Sequence, residues 1–377
     1  MNAPANRRVA IIGLGLIGGS IGLGLKRAGL PSLEIVGQDN DRSAEKTAQK
    51  LGAIDRAEHD PRKAVEGASL LIIATPISSL RDVFKEIAPH LLKDAIVTDT
   101  ASTKADVMKW AAELLPDTIN FVGGHPMAGN EQQGIENAEA TLFEGRAYCL
   151  CPTVDCSPAA IRSMVGLAEL LGATPAFIEP EEHDVYAAAV SHLPLVMATA
   201  LFTLLRESPS WDDMGTLASS GFTDMTRLAS GDPAMSHAIW STNREAIIHW
   251  IDRLSGELNR LRDMLKDAQD EALLELFITT KLQRDEFIAH PPRRERPPSS
   301  VEVDRGKAFL DMMVGGMMAD NIRRVQKIPE VMEEPIERDT PEGKRKISLA
   351  EKMGEDIRRD LEKLEREREE KAREKGG

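Results

Sequence analysis

The sequence VAIIGLGLIGGS occupies residues 9–20 and opens with a short apolar run that predicts a buried β-strand. Its glycines have the spacing G-x-G-x-x-G, directly after that strand and before a helix predicted over residues 20–28. Gly13 permits a tight turn, Gly15 lets the backbone approach a pyrophosphate, and Gly18 allows close packing of helix on strand. Because the helix N-terminus then faces the phosphates, the segment indicates a dinucleotide-binding loop. The loop residues predicted to contact the cofactor are Gly13, Gly15, Leu16, Ile17 and Gly18.

The next predicted strand, EIVGQD at residues 34–39, ends in an acidic side chain. Asp39 at its tip is placed to accept hydrogen bonds from a ribose diol and to repel a 2′-phosphate, which favours NAD over NADP. Arg42, three residues further on, offsets part of that repulsion, so NADP stays an alternative. A later apolar run ends in ATPIS, where Thr75 and Pro76 are expected beside the cofactor crevice.

Short apolar runs alternate with helix-like stretches over the first 180 residues. They lie at residues 9–14, 33–36, 70–74, 95–98, 119–122, 147–150 and 176–178. Runs rich in Ile, Val and Leu are typical of strands buried on both faces of a parallel sheet. Their alternation with helices predicts an α/β fold with an N-terminal, Rossmann-type doubly wound sheet.

The pattern changes between residues 181 and 290, where strand-like runs disappear and apolar residues recur at helical spacing. This predicts an all-helical domain, and its apolar content exceeds what one small bundle buries, which indicates a dimer interface. PPRRERPPSS at residues 291–300 contains four prolines and predicts a stiff linker. The predicted domains are an NAD-binding domain (1–180), a helical substrate and dimerisation domain (181–290) and a charged helical accessory tail (291–377).

The tail beyond residue 290 has 21 basic and 21 acidic residues and is therefore neutral. Helices are predicted over residues 305–328 and 348–375, the second as a single solvated helix or a short coiled coil. An RNA-binding tail is the less favoured alternative, because the tail has no net positive charge.

Composition excludes several classes of protein. In 377 residues, 47 Lys+Arg stand against 61 Asp+Glu, and the net charge of −14 argues against a nucleic-acid partner. Cys149, Cys151 and Cys156 have neither zinc-ligand spacing nor the number for a disulfide framework, so no metal site is predicted. No run reaches the roughly 18 consecutive apolar residues of a membrane span. Glycines interrupt the N-terminal apolar run, which argues against a signal peptide. A cytoplasmic protein without a membrane partner is expected.

Four segments bring polar residues to the ends of predicted strands or helices. They are TDTASTK (98–104), GGHPMAGNEQQG (123–134), SHLP (191–194) and GFTDMTRLASGDP (221–233). His125 follows a predicted strand, among glycines that leave room for a substrate, and is placed as a general base. Ser102 is placed to orient His125, to cap a helix that begins at Lys104, or to do both. Arg227 suits capture of a carboxylate, and a salt bridge to Asp224 or Asp232 is the alternative.

These segments, with GLGLIGGS and ATPIS, occur in the order and approximate spacing of the prephenate/arogenate dehydrogenase family of tyrosine biosynthesis. The chain resembles that family over residues 8–290, and HPMAG followed by SHLP is specific to it among nucleotide-binding dehydrogenases. The resemblance implies NAD-dependent oxidative decarboxylation of prephenate to 4-hydroxyphenylpyruvate by a homodimer. Arogenate dehydrogenation to tyrosine is the close alternative.

The resemblance also implies roles for individual residues. His125 matches the catalytic histidine that takes the proton of the substrate's ring hydroxyl, and Ser102 matches the serine that holds both groups. Arg227 matches the arginine that binds substrate carboxylate, while His192 and Glu131 match positions lining the substrate pocket. Lys104 is a second candidate cation for the two carboxylates of prephenate.

Three positions depart from the family's pattern. Thr223, Leu195 and Ser236 stand where the family often has Arg, His and Trp, which leaves the choice between prephenate and arogenate open. Two less favoured hypotheses are a β-hydroxyacid dehydrogenase, which would use a catalytic lysine in the helical domain, and a non-catalytic NAD-binding protein. The tail lacks the alternating strands and helices of a regulatory ACT-type domain.

Overall fold

The computed structural model describes residues 7–129, 132–292, 336–340 and 343–347. The chain divides into two compact units, Met1–Gly315 and Gly316–Gly377. The first unit contains one sheet of eight strands. Its strands are β1 (Arg7–Ile12), β2 (Leu33–Gln38), β3 (Arg56–Ala57), β4 (Leu70–Ile73), β5 (Ile96–Asp99), β6 (Asn120–Pro126), β7 (Ala147–Pro152) and β8 (Thr174–Phe177).

The strand order in the sheet is β3-β2-β1-β4-β5-β6-β7-β8. Helices cover both faces: α1 (Leu16–Arg27), α2 (Arg42–Leu51), α3 (Pro61–Val65), α4 (Ile77–Ile87), α5 (Ala105–Leu114) and α6 (Pro158–Leu170). Alternate residues of β1 enter opposite cores: Val9 and Ile11 pack with α1 and α6, whereas Ala10 and Ile12 pack with α4 and α5. The doubly wound sheet is confirmed. Its first six strands have the dinucleotide-binding order, in which the chain reverses beside β1 and leaves a crevice at the carboxyl ends of β1 and β4.

The sheet is not parallel throughout, because β7 pairs antiparallel with β6. Residues 127–146 join the two strands, and in the part of this connection that the structure describes the one helical element is a short 3₁₀ turn at Ile135–Asn137. A parallel partner needs a long crossover, usually a helix, whereas an antiparallel partner does not. The two-residue strand β3 was not anticipated, because its run is too short and too polar to give a strand signal.

Seven helices follow the sheet in the described chain. They are α7 (Pro180–Ala187), α8 (Leu193–Arg206), α9 (Trp211–Thr216), α10 (Ser220–Thr226), α11 (Pro233–Thr242), α12 (Arg244–Lys266) and α13 (Asp270–Ala289). A π-helical turn, Ala188–His192, joins α7 to α8. Pro194 has no N–H for a helical bond to the carbonyl of Val190, and the N–H of Leu193 bonds to Ala188, five residues back. The SHLP segment thereby turns His192 inward at the junction.

The helices after the sheet expose much of their apolar surface. Their own hydrophobic cluster has only three buried members, Ala188, Ile239 and Ile247. Large apolar side chains more than half exposed include Val190, Leu204, Leu217, Leu258, Leu265, Leu274, Phe277, Leu282 and Ile288. A patch of this extent indicates an interface with another chain. The continuous helical segment Pro180–Arg206 is long and apolar enough to cross a membrane, a test that helices of soluble proteins also pass.

The second unit contributes an antiparallel pair, β9 (Ile336–Thr340) and β10 (Gly343–Ile347). This hairpin was not anticipated from the sequence. The helices predicted over residues 305–328 and 348–375 lie outside the described residues.

A buried ion pair connects the ends of β5 and β6. Lys104 and Asp99 are both fully buried, and the Lys104 ammonium bonds to the Asp99 carboxylate and, at 2.7 Å, to the Gly124 carbonyl. Asp99 also accepts the N–H of Gly124 (3.1 Å) and of Ala101 (2.8 Å). The buried Lys104 ammonium is bonded to these groups within the protein, which contradicts the prediction that it binds substrate. The pair pins the strand end that carries His125.

We expect Lys104→Met to lower the free energy of unfolding by about 3–5 kcal/mol, because it leaves the Asp99 carboxylate buried without its cation. Urea unfolding followed by circular dichroism measures the loss. Lys109→Met, on α5 with a side chain 66% exposed, is the matched control and should change stability by less than about 0.5 kcal/mol.

The double variant Asp99→Asn/Lys104→Met removes both charges and should recover part of the loss. Equal stability of Lys104→Met and the control would contradict a pinning role for the pair.

Candidate active site

The glycine loop has the geometry of a phosphate-binding turn. Gly13 has a φ of +92°, and a Cβ there would lie 2.6 Å from the carbonyl oxygen of Ala74. A Cβ on Gly18 would lie 1.9 Å from the Gly13 oxygen, so side chains are excluded at both positions. Gly15, the residue before α1, has nothing within 4 Å of its Cβ position. Leu16 and Ile17 begin α1, no described side chain caps its N-terminus, and the first-turn N–H groups of such a helix are donors suited to a pyrophosphate.

Two side chains beside the loop also fit a dinucleotide. Asp39 stands at the tip of β2, and its carboxylate accepts the N–H groups of Leu14 (2.7 Å) and Asp41 (2.8 Å). These bonds hold the acid against the glycine loop, where a ribose diol would lie. The Thr75 hydroxyl after β4 is buried with no hydrogen-bond partner in the described part of the chain. Pro76 follows as the exposed residue before α4.

His125 lies near the carboxyl end of β6, on the pinned strand end. It is 8% exposed, and its Nδ1 is 2.8 Å from Nε2 of His183 in α7. Nδ1 of His183 is in turn 2.8 Å from Oδ1 of Asp184. Burial lowers the pKa of His125 well below its ordinary value of 6.5, and electrostatic interactions with His183, Lys104 and His192 act in the same direction. His125 is therefore neutral at pH 7 and able to accept a proton.

The carboxylate of Asp184 also caps a helix of the sheet domain. It accepts the N–H of Lys104 (2.7 Å) and of Ala105 (2.9 Å), at the start of α5. The alternative that Ser102 caps this helix is therefore wrong, since the cap comes from α7. Ser102 lies half-buried in the loop before α5, and among the described residues it has no hydrogen bond to His125.

His192 lies in the same buried network. Asn243 donates one amide N–H to the carbonyl of Asp184 (2.7 Å), and the same nitrogen is 3.1 Å from Nδ1 of His192. Burial lowers the pKa of His192 to about 4, against the opposing effect of the Asp184 charge, so the ring is neutral at pH 7. With Nδ1 as acceptor, Nε2 of His192 carries the proton, and this donor has no partner among the described residues. An unpaired buried donor suits a substrate carbonyl or carboxylate.

Arg227 lies apart from these contacts, at the start of a 3₁₀ turn, Arg227–Ser230, after α10. It is exposed and lines a depression with Thr223, one of the three departures from the family pattern. The other lining residues are Phe202, Thr226, Ala229 and Ser230. None of them belongs to the His125 network. Glu131 lies outside the described residues.

Three residues of the network, His183, Asp184 and Asn243, have no motif signal in the sequence. His183 and Asp184 follow two glutamates in a charged stretch that looks like an ordinary helix start, and Asn243 stands between two helices. The packing of α7 against α5, and of α12 against α7, brings them to the His125 network. No cluster of His, Cys, Asp and Glu side chains suited to a metal occurs among the described residues.

Two family models match the chain in succession. The model described as prephenate dehydrogenase, nucleotide-binding domain, matches residues 21–176. The model described as prephenate dehydrogenase, dimerization domain, matches residues 179–279. The first match covers the sheet after the glycine loop, and the second covers the helices with the exposed apolar surface.

Curated relatives agree with these matches. The prephenate dehydrogenase of Bacillus subtilis is 34% identical over 281 residues, which cover 74% of this chain and 75% of the relative. The cyclohexadienyl dehydrogenase of Zymomonas mobilis is 31% identical over 273 residues, which cover 72% of this chain and 92% of the relative.

Solved structures share the fold at similar identity. Prephenate dehydrogenase from A. aeolicus, in complex with hydroxyphenyl propionate and NAD+, aligns with a TM-score of 0.70 and 30% identity over 76% of this chain and 100% of its own. Synechocystis arogenate dehydrogenase aligns with a TM-score of 0.64 and 30% identity over 74% of this chain and 99% of its own. With both family models and these relatives in agreement, the chain belongs to the prephenate dehydrogenase family.

Proposed function

We propose that this protein catalyses the NAD-dependent oxidative decarboxylation of prephenate to 4-hydroxyphenylpyruvate, a step of tyrosine biosynthesis. The observation that carries the proposal is His125, a buried and neutral histidine on a pinned strand end, hydrogen-bonded to a second histidine. Membership of the family supports it, as does the likeness to a solved relative with NAD+ and hydroxyphenyl propionate.

The glycine loop and its neighbours hold the cofactor in this proposal. Gly13, Gly15 and Gly18 leave room for the pyrophosphate, the first turn of α1 offers its N–H groups, and Asp39 accepts the ribose hydroxyls. The Thr75 hydroxyl supplies a further hydrogen-bonding group at the crevice. When bound, NAD supplies the hydride acceptor.

His125 moves the proton of the reaction. Its free nitrogen accepts the proton of the ring hydroxyl as hydride leaves the same carbon, which forms a ketone. Cleavage of the bond to the ring carboxylate then releases CO₂, and the bonding pair makes the ring aromatic with a phenolate oxygen. His125 returns its proton to that oxygen, so the proton count balances and the histidine is again neutral.

Arg227, His192 and Glu131 form the substrate-binding set in this proposal. Arg227 offers a permanent positive charge to a carboxylate, and His192 offers its unpaired Nε2 proton. Ser102 contacts the ring hydroxyl from the loop before α5 once substrate is present.

Arogenate is the second candidate substrate, and the identity of residue 223 is the observation that favours it. Thr223 lines the depression beside Arg227 at a position where the family often has arginine, so one cation of the substrate side is missing. Arogenate carries an amino group where prephenate has a keto oxygen and needs less positive charge around it. A β-hydroxyacid dehydrogenase is less favoured, because the two lysines of residues 181–290, Lys266 and Lys281, are both exposed.

The helical domain forms a homodimer in this proposal, and the protein acts in the cytoplasm without nucleic acid or membrane. The exposed apolar residues of α8, α12 and α13 lie within or next to the part matched as a dimerization domain. The proposed domains are 1–180, 181–290 and 291–377. The first boundary follows the end of the sheet at Phe177 and the start of α7 at Pro180.

His125→Asn should lower kcat by about 10²–10⁴-fold, because it removes the general base. The wild-type rate should stay high as the pH falls through 6.5, since the lowered pKa keeps His125 unprotonated there, and should decline only further into acid. Steady-state NADH formation across pH measures both effects. His90→Asn, on the turn after α4, is the control and should keep wild-type rates. An acid limb centred at or above pH 6.5 would contradict the assignment.

Arg227→Gln should lower kcat/KM by about 10- to 100-fold, mainly through KM, because a charge-assisted bond to a carboxylate is lost. Prephenate and arogenate assayed in parallel, with purified protein and NAD, identify the substrate at the same time. Arg262→Gln on α12, with a side chain 68% exposed, is the control. No turnover of either substrate by the wild type would refute the proposed reaction while leaving the fold in place.

Light scattering after size-exclusion chromatography should give the wild type twice its chain mass of 41.3 kDa. Leu274→Glu/Phe277→Glu places charges on two exposed apolar positions of α13 and should shift the mass towards one chain. Lys281→Glu, on the same helix with a side chain 73% exposed, should stay dimeric. A wild-type mass of one chain would contradict the homodimer.

A further inference from the structure

We propose that His183 is a positioning residue that, backed by Asp184, holds His125 in its base-competent tautomer and shares the proton that His125 accepts. The proposal rests on the function proposed above for His125. It concerns a residue that touches His125 and not the substrate.

The carboxylate of Asp184 determines which nitrogen of His183 carries a proton. Its two oxygens accept the N–H groups of Lys104 and Ala105, at 2.7 and 2.9 Å. An ionised carboxylate is an acceptor only, so Nδ1 of His183, 2.8 Å from Oδ1, must be a donor. In the neutral ring, Nε2 of His183 is then left with a lone pair.

That lone pair determines the tautomer of His125. Nε2 of His183 lies 2.8 Å from Nδ1 of His125, so Nδ1 of His125 must donate. Nε2 of His125 is then unprotonated and becomes the nitrogen that accepts the proton of the substrate. The opposite tautomer would bring two lone pairs together in a site where both rings are nearly fully buried.

The same contacts provide a place for the positive charge. After His125 Nε2 accepts a proton, the N–H bond at His125 Nδ1 can break as a new N–H bond forms at His183 Nε2. The charge then lies on His183 beside the Asp184 carboxylate, instead of on His125, whose pKa is lowered by burial and by nearby groups that include Lys104. The charged and titratable groups around His183 are His125 on β6, Asp184 on α7, Lys104 before α5 and His192 in the π turn. Reversal of the transfer restores the proton to the product oxygen.

The tautomers are read directly by ¹⁵N NMR of the full-length protein labelled at histidine. We expect the His125 signals to show a protonated Nδ1 and an unprotonated Nε2 at pH 7, and the His183 signals to show a protonated Nδ1. His125→Asn and His183→Gln identify the two sets of signals. A His125 protonated at Nε2 would overturn the proposal. This result does not depend on which substrate the enzyme uses, so it is separable from failure of the proposed function.

Kinetics of His183→Phe and His183→Gln test the role in turnover. Both variants should lower kcat by about 10²-fold or more with little change in KM, as loss of the orienting partner does in other catalytic histidine networks. His183→Gln can accept the Nδ1–H of His125 but cannot take up its proton, so it should keep more activity than His183→Phe and less than wild type. His90→Gln is the matched control.

NAD affinity and the melting temperature separate this role from a structural one. Both should stay close to wild type in His183→Gln. A fall in kcat matched by equal losses of NAD affinity and melting temperature, or wild-type kcat in both variants, would overturn the proposal.

Discussion

The hydrogen bonds of the Asp184 carboxylate are the interactions on which the candidate active site depends. This carboxylate caps α5 in the sheet domain, although it belongs to α7 of the helical domain, and one of its oxygens, Oδ1, also orients His183. The backbone carbonyl of Asp184 is held by Asn243, which also contacts His192. One buried residue therefore joins two domains and aligns two histidines. A buried charge is tolerated here because all its contacts are hydrogen bonds of good length.

Burial also determines the protonation state of two histidines in this network. His125 and His192 are removed from water and stay neutral at pH values where an exposed histidine would begin to take up a proton. A neutral histidine suits proton abstraction at neutral pH, and a low-polarity environment strengthens each hydrogen bond that substrate makes. The Asp99–Lys104 pair supports this arrangement by fixing the strand end on which His125 lies. Stability and reactivity thus depend on the same buried charges.

The helical domain has a very small hydrophobic core of its own and many exposed apolar side chains. Such a domain gains little free energy from folding alone and gains more when its apolar surface is covered. The dimerization-domain model matches residues 179–279, where most of this exposed apolar surface lies. The long apolar segment Pro180–Arg206 contributes Val190, Phe202 and Leu204 to the same exposed surface.

Local sequence determined the parts of this protein that rest on short-range rules. The glycine spacing, the acid at the tip of β2 and the short apolar runs specified the doubly wound sheet and its cofactor crevice, because turn geometry and side-chain alternation act within a few residues. The π turn that ends at His192 follows in the same way from Pro194. Only the tertiary structure decided that Lys104 pairs with Asp99, that Asp184 and not Ser102 caps α5, and that His183 is the partner of His125. These contacts join residues from 5 to 80 positions apart, and their partners are chosen by how the helices pack on the sheet, which no local pattern encodes.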